Sequence, residues 1–233
     1  MASNGSVVIV GGSSEIGMAV ATHYADQGRE VWVSSRDAAK AATAAEKIGG
    51  NTHGFALDLN DLAGIEDALS DIGDVQRLAL VAVERDPNTI ADFKAEAAAA
   101  LFRLKLAGYP QVIHVLLSRL TDDAAIVLFG GLAKERPYPG GTTIATVNGG
   151  ISTMVNTLTI ELAPKRVNAI HPAIVEDSWF WADKPEALDM NRSQTPTGKL
   201  VTVSDVADAT VFLLENNGMN GSNLNLDAGW LRT

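Results

Sequence analysis

The chain has no cysteine in its 233 residues, which excludes disulfides, thiolate metal sites and cysteine nucleophiles. Long hydrophobic runs are missing too. The first apolar stretch after Met1-Ala2-Ser3-Asn4-Gly5 is only Val7 to Val10, too short and too uncharged at its start for a secretion signal, and no later segment is long enough for a membrane span. Basic residues are few: Lys and Arg total 18 against 28 Asp and Glu, a net charge of -10. No Lys/Arg cluster offers a surface for nucleic-acid phosphates. The 4 histidines (His23, His53, His114 and His171) lack the close pairing of metal ligands. The expectation is a soluble, cytoplasmic protein acting on a small molecule, with no nucleic-acid, membrane or metal partner.

Strand-like and helix-like segments alternate from the first residues onward. Apolar runs at Ser6 to Val10, Glu30 to Ser34, His53 to Leu57, Arg77 to Val83, Ala124 to Phe129, Arg166 to Ile170 and Leu224 to Leu226 read as strands. Helices are expected over Glu15 to Gln27, Ala38 to Ile48, Leu62 to Ile72, Ile90 to Leu120, Asn148 to Leu162 and Ser204 to Glu215, the last capped by Ser204. A break near Gly108-Tyr109-Pro110 interrupts the fourth, because proline lacks an amide donor. The stretch from Val175 to Lys199 reads as irregular. Apolar strands alternating with helices predict an α/β, doubly wound, mainly parallel seven-stranded sheet with helices on both faces. No linker or repeat divides residues 1–233, so one domain is expected.

Between the first strand and first helix stands Gly11-Gly12-Ser13-Ser14-Glu15-Ile16-Gly17. A dinucleotide site needs a tight turn there, a backbone that approaches the pyrophosphate, and free amides at the helix start. Gly11 and Gly17 can supply the tight turn and the close helix-strand packing that goes with it, and a succession of βαβ units behind them strengthens the reading.

Further motifs follow in order: Arg166-Val167-Asn168-Ala169-Ile170-His171-Pro172, then Asp205-Val206-Ala207 with Phe212-Leu213, then Gly221 to Gly229. Together with the turn they resemble the short-chain dehydrogenase/reductase family, whose segments read TGxxxGIG, RVNxIxPG and TGQxLxVDGG. The resemblance covers nearly the whole chain and implies a Rossmann-type fold. It also implies hydride transfer with a nicotinamide cofactor, and a homodimer or homotetramer joined through the helices of 90 to 120 and 148 to 162. Val10 and Glu15 depart from the family turn, and a carboxylate near a pyrophosphate repels it unless it points away or accepts amide hydrogen bonds.

By the same resemblance, Gly11, Ser13, Ser14, Ile16 and Gly17 contact the cofactor, and Asp58 and Leu59 lie at its adenine. Ser35 followed by Arg36 resembles the NADP(H) type, expected here in preference to NAD(H), with the guanidinium on the 2′-phosphate. Alternatively Arg36 is a solvated surface residue, and Asp58 a helix cap. The family's catalytic serine, tyrosine and lysine fall on Gly131, Ile144 and Asn148, and its asparagine at or next to Lys105. Either lysine and asparagine have changed places, with Lys105 and Asn148 as the candidate catalytic pair, or Lys105 is a surface or packing lysine. Trp179 and Trp181, in a lid-like segment of about 175–199, either line a substrate pocket or pack the loop.

Three functions fit these residues. One is an NADP(H)-dependent oxidoreductase with a non-standard site, acting on C=O, C=N or C=C. The second is a catalytically silent nucleotide-binding homologue. The third is a non-redox isomerase, lyase or cyclase reusing the pocket.

Overall fold

The computed structural model describes residues 5–233; Met1 to Asn4, where the sequence was read for a signal segment, lie outside the described residues. The strands are β1 (Ser6–Val10), β2 (Glu30–Ser35), β3 (Asn51–Ala56), β4 (Val75–Leu80), β5 (Leu120–Phe129), β6 (Arg166–Pro172) and β7 (Asn223–Leu226). Among the described residues they form one 7-stranded sheet in the order β3-β2-β1-β4-β5-β6-β7, with every neighbouring pair parallel. The expected Rossmann-type sheet is therefore present, and wholly parallel.

Successive side chains of a strand point to opposite faces, and both faces of this sheet are covered. Val8, Val10, Leu78, Leu80, Ile126 and Leu128 face one apolar core, whereas Val7, Ile9, Ala79 and Val127 face another. This is why the buried stretches of the central strands are continuous apolar runs rather than alternating ones. Against the second core pack α1 (Glu15–Ala25), α2 (Ala38–Ile48) and, from late in the chain, α8 (Val203–Glu215). The first core is closed by α3 (Ile65–Ala68), α5 (Gly108–Leu116) and α6 (Thr142–Glu161), with α4 (Ala95–Phe102) packed against α6. The remaining helix, α7 (Pro185–Ser193), follows β6.

Several boundaries differ from the sequence expectation, each for a local reason. β4 ends at Leu80 instead of Val83. The helix expected over 62–72 shrinks to the single turn α3, because Asp58 and Asp61 fold the preceding chain into turns by accepting from the amides of Asn60 and Gly64. α6 begins at Thr142 rather than Asn148, its β-branched first turns overridden by packing. The expected break near Gly108 is a π-helical segment, Arg103–Ala107, immediately before α5. Pro110 then falls in the first turn of α5, and the carbonyls that its absent amide would have served lie in the widened segment. Residues 175–199 are not irregular throughout: they hold a 3-10 turn, Trp179–Trp181, and α7, which starts at Pro185. The cap of α8 is Thr202, in a reciprocal capping box with Asp205, rather than Ser204.

The order of strands has one consequence for binding. The chain runs outward from β1 to β3 and then returns to the other side of β1 as β4, so the connections leave a crevice between β1 and β4 at the carboxyl ends of the strands. Ligands of open α/β sheets bind in such crevices. No helix of the described residues is long and apolar enough to cross a membrane.

Candidate functional site

At Gly11 and Gly17 the turn after β1 has no room for a side chain. Gly11 has φ +86, and a Cβ there would stand 2.7 Å from the amide nitrogen of Ala82 beyond β4. A Cβ on Gly17 would lie 2.5 Å from the Gly11 carbonyl oxygen. Strand, turn and helix thus approach as closely as backbones can, and the first amides of α1 open toward the crevice, where an anion is stabilised. Ser14 is the helix cap: its Oγ donates to the Gly11 carbonyl at 2.8 Å and accepts from the Gly17 amide at 3.1 Å. Ser13 and Ile16 are half-buried beside it. Ser13 also lines an open cleft of about 310 Å³ shared with Met18, Lys40, Thr43 and Lys47 of the first two helices.

Ser35 ends β2 at the same edge. Arg36 follows it, exposed, with Nη1 3.4 Å from Glu84 Oε2. Asp37 caps α2 through the amides of Ala39 and Lys40. Asp58 is exposed and accepts from the Asn60 amide at 2.9 Å, so it shapes a turn rather than capping a helix directly. The Leu59 side chain is buried in the core, under Gly108, which leaves its backbone as the only part free to meet a ligand.

A second group of polar residues gathers at the carboxyl end of β5. Lys105, in the π-helical segment, is 1% exposed. Its Nζ donates to the Phe129 carbonyl at 2.7 Å and lies 5.7 Å from the centre of the Tyr109 ring. Burial, with no carboxylate to offset it, pushes the ammonium pKa down to about 7. Tyr109 in turn donates to the Ala82 carbonyl at 2.6 Å, joining this group to the crevice wall.

Two residues past Phe129 lies Gly131, against which Asn148 of α6 packs: a Cβ on Gly131 would be 2.8 Å from Asn148 Nδ2. Asn148 is 2% exposed, and its Oδ1 has no hydrogen-bond partner. A buried acceptor left unpaired costs about 1–3 kcal/mol, a cost that an ordered water or a ligand donor relieves. Ile144 sits one turn earlier, half-buried and apolar. The structure therefore brings Lys105, Gly131 and Asn148 to one strand end.

His171 supports this end from β6. The Gly131 amide donates to its Nδ1 at 3.2 Å, so Nε2 carries the proton and donates to Asn223 Oδ1 at 2.9 Å. Burial lowers its pKa to about 4, which keeps the ring neutral. It fixes the backbone at Gly131.

Over the crevice runs the segment after β6. Trp179 is 72% exposed as a residue, but its backbone amide donates to Glu15 Oε1 at 2.9 Å. Trp181 is half-buried and meets Phe180 edge-to-face at 5.0 Å. Phe180 also holds the Arg85 guanidinium, 3.3 Å from its ring centre. Tyr109 and Arg85 were not singled out from sequence. The spacing of Lys105 and Tyr109, which places both on one side of a helix, was the available signal for the first; the second has no local signal. Among the described residues no group of three or more His, Asp or Glu is arranged to hold a metal ion.

A family model described as enoyl-(acyl carrier protein) reductase matches residues 10–231. A short-chain dehydrogenase/reductase of Stachybotrys chlorohalonatus is 27% identical, covering 96% of each chain. The L-xylulose reductase of Mesocricetus auratus is 29% identical over 76% of each. Among solved structures, a reductase/Diels-Alderase from Malbranchea aurantiaca superposes with a TM-score of 0.91 at 22% identity, covering 98% of this chain and 96% of the other.

Proposed function

Since this chain belongs to the short-chain dehydrogenase/reductase family, we propose that it is an oxidoreductase that uses NADP(H) and a rebuilt polar site to reduce or oxidise a small organic substrate at C=O, C=N or C=C. Family membership implies a nicotinamide dinucleotide, and the turn fits one: Gly11 and Gly17 form a cradle that any Cβ would fill. Gly11, Ser13, Ser14, Ile16 and Gly17 would hold the pyrophosphate. Ser35 and Arg36 would take the 2′-phosphate, and Asp58 with the Leu59 backbone the adenine side. When bound, the cofactor supplies or receives a hydride at its nicotinamide ring.

The observation that carries the reading is the buried ammonium of Lys105 at the end of β5, close to neutrality in its pKa, with the unpaired Asn148 Oδ1 at the same strand end. A general acid works best with a pKa near the working pH. In this reading Gly131, Ile144 and Asn148 stand where the family has serine, tyrosine and lysine. Lys105 gives a proton to the substrate atom that gains charge, and Asn148 Oδ1 accepts a hydrogen bond that orients it. His171 acts through Gly131 as a positioning residue. The same family likeness implies a homodimer or homotetramer joined through α4, α5 and α6.

Titration of the protein into NADPH and NADH, followed by nicotinamide fluorescence, should give tighter binding of NADPH. Bound NADPH should then be oxidised by a member of a panel of ketones, imines and enones, with loss of the rate in Lys105→Met. Binding without any turnover would favour a silent homologue. A second reading, a non-redox cyclase or isomerase in the same pocket, has its own support: Ile144 places an apolar group where the family's proton donor would stand, and the Malbranchea neighbour is titled both reductase and Diels-Alderase. Product formation unaffected by removal of nucleotide would favour it.

A further inference from the structure

The segment after β6 touches the nucleotide crevice at two points that straddle it. On one side the Trp179 amide donates to Glu15 Oε1 at 2.9 Å, and Glu15 is the first residue of α1, in the turn that follows β1. On the other, the Phe180 ring lies 3.3 Å from the Arg85 guanidinium, in the connection that follows β4. Strands β1 and β4 are the neighbours at which the chain reverses direction across the sheet, so the line from Glu15 to Arg85 spans the mouth where a dinucleotide would enter.

The base of this segment is held independently. The Glu176 amide bonds the Val201 carbonyl at 2.9 Å, Val175 pairs with Val201 in an isolated bridge, and Asp177 Oδ1 accepts from the Val203 amide at 2.7 Å. The far side is gathered by Lys184, whose Nζ lies 4.1 Å from the Phe180 ring centre. Between these anchors the chain bridges the crevice with Trp179 left 72% exposed; its backbone amide makes the hydrogen bond to Glu15.

We propose that residues 177–184 are a strap which Glu15 latches across the switch-point crevice, and that a dinucleotide enters by opening this latch. The proposal rests on the dinucleotide reading above. Glu15 bonds the strap with the same carboxylate that faces the place of an incoming pyrophosphate, so latching and nucleotide binding oppose each other twice: once by occupation of the mouth and once by repulsion between like charges. A nucleotide that binds only the unlatched state has its apparent affinity reduced by the fraction of molecules unlatched. Glu15 is then a determinant of nucleotide access, and the departure from the family glycine has a physical role.

Two readouts test this, one without any nucleotide. In Glu15→Ala the Trp179 amide should exchange with deuterium about tenfold faster than in the wild type, the loss of one charge-assisted hydrogen bond. Glu15→Gln, which keeps an oxygen acceptor, should fall between the two. In parallel, NADPH should bind Glu15→Ala about tenfold more tightly, and Glu15→Gln more tightly by a smaller factor. Arg85→Ala, which frees the other end, should shift both measurements the same way and guards against a folding defect in a single variant. Unchanged exchange at Trp179 in Glu15→Ala would overturn the latch. Faster exchange with unchanged or weaker NADPH binding would overturn the gate. If neither NADPH nor NADH binds the wild type or any variant, the dinucleotide reading falls and takes the gate with it, while the exchange data alone decide the latch.

Discussion

Lys105 combines full burial with a single backbone acceptor, the Phe129 carbonyl, and an ammonium in that setting is a cost to the fold unless it gives up its proton. Its folded-state pKa of about 7 lies below the ordinary 10.5. Between those values the unfolded chain binds the extra proton, so stability increases with pH across that window. Below it both states are protonated and the whole penalty is present, roughly a few kcal/mol. Lys105→Met keeps most of the volume and removes the charge. Urea midpoints should therefore climb for the wild type as pH rises from about 7 toward 10.5, relative to the variant; parallel curves would refute a buried, titrating lysine. Under the proposed function, that cost goes with a role for Lys105 in the site. Its place in the helix was legible from the sequence, but its burial was not, because a charged side chain among leucines reads equally as a stem lying on the surface.

At the level of elements, the π-helical segment decides where Lys105 points. The Gly108 amide bonds the Arg103 carbonyl there, a wider closure than the α-helix, and Pro110 withholds the donor that would serve the carbonyls between them. Restoring that donor with Pro110→Ala should let the segment close into α-helical register, turning the preceding residues by about 100° per residue of shift. The expected outcome is a folded protein in which Lys105 titrates closer to 10.5 than to about 7, read from the pH dependence of stability; retention of the low value would show that packing alone sets the bulge. The same elements show what could be read in advance. Strands β1, β4 and β5 were plain from their apolar stretches, Val7 to Val10, Leu78 to Leu80 and Ala124 to Phe129, where both faces are buried. The start of α6 was not, since Thr142, Thr143, Ile144, Thr146 and Val147 are β-branched and disfavour helix locally, and only contacts with the sheet make them helical. The glycine turn was visible through its place between the first strand and the first helix, whereas Lys105 and Asn148 were candidates only through the family resemblance, with a surface or packing lysine as the alternative. The bond between Glu15 and Trp179 links residues 164 positions apart and leaves no trace in any local pattern.

Across the whole molecule, the polar residues divide between the two ends of the sheet. The carboxyl ends of the strands hold the glycine turn, Lys105, Asn148 and the strap, while an ion-pair cluster ties helices to strands below. There, Arg77 of β4 bonds both carboxylate oxygens of Glu215 at the end of α8, at 2.8 and 2.9 Å, and Tyr24 of α1 donates to Glu215 at 2.8 Å. Burial opposes both charges, yet the pairing prevails: the Arg77 pKa is raised and that of Glu215 is lowered. Removing the carboxylate leaves the Arg77 side chain, 9% exposed, without its partner, whereas Glu215 itself is 41% exposed and partly screened by water. Losses of about 3–5 kcal/mol attend the breaking of a fully buried pair, and discounting for screening brings Glu215→Ala to about 2 kcal/mol. Because the folded carboxyl pKa is depressed, this contribution is complete above the ordinary value of 4.5 and is lost as pH falls through the lower folded value. Chemical denaturation should accordingly show the variant weaker than the wild type at neutral pH, with the gap closing in acid. The cluster lies at the opposite end of the sheet from the crevice, so NADPH affinity in Glu215→Ala should match that of the wild type under conditions where both are folded. A large change in affinity would mean that the two ends are coupled through the sheet, and that α8, which starts beside the base of the strap at Asp177 and Val203, transmits it.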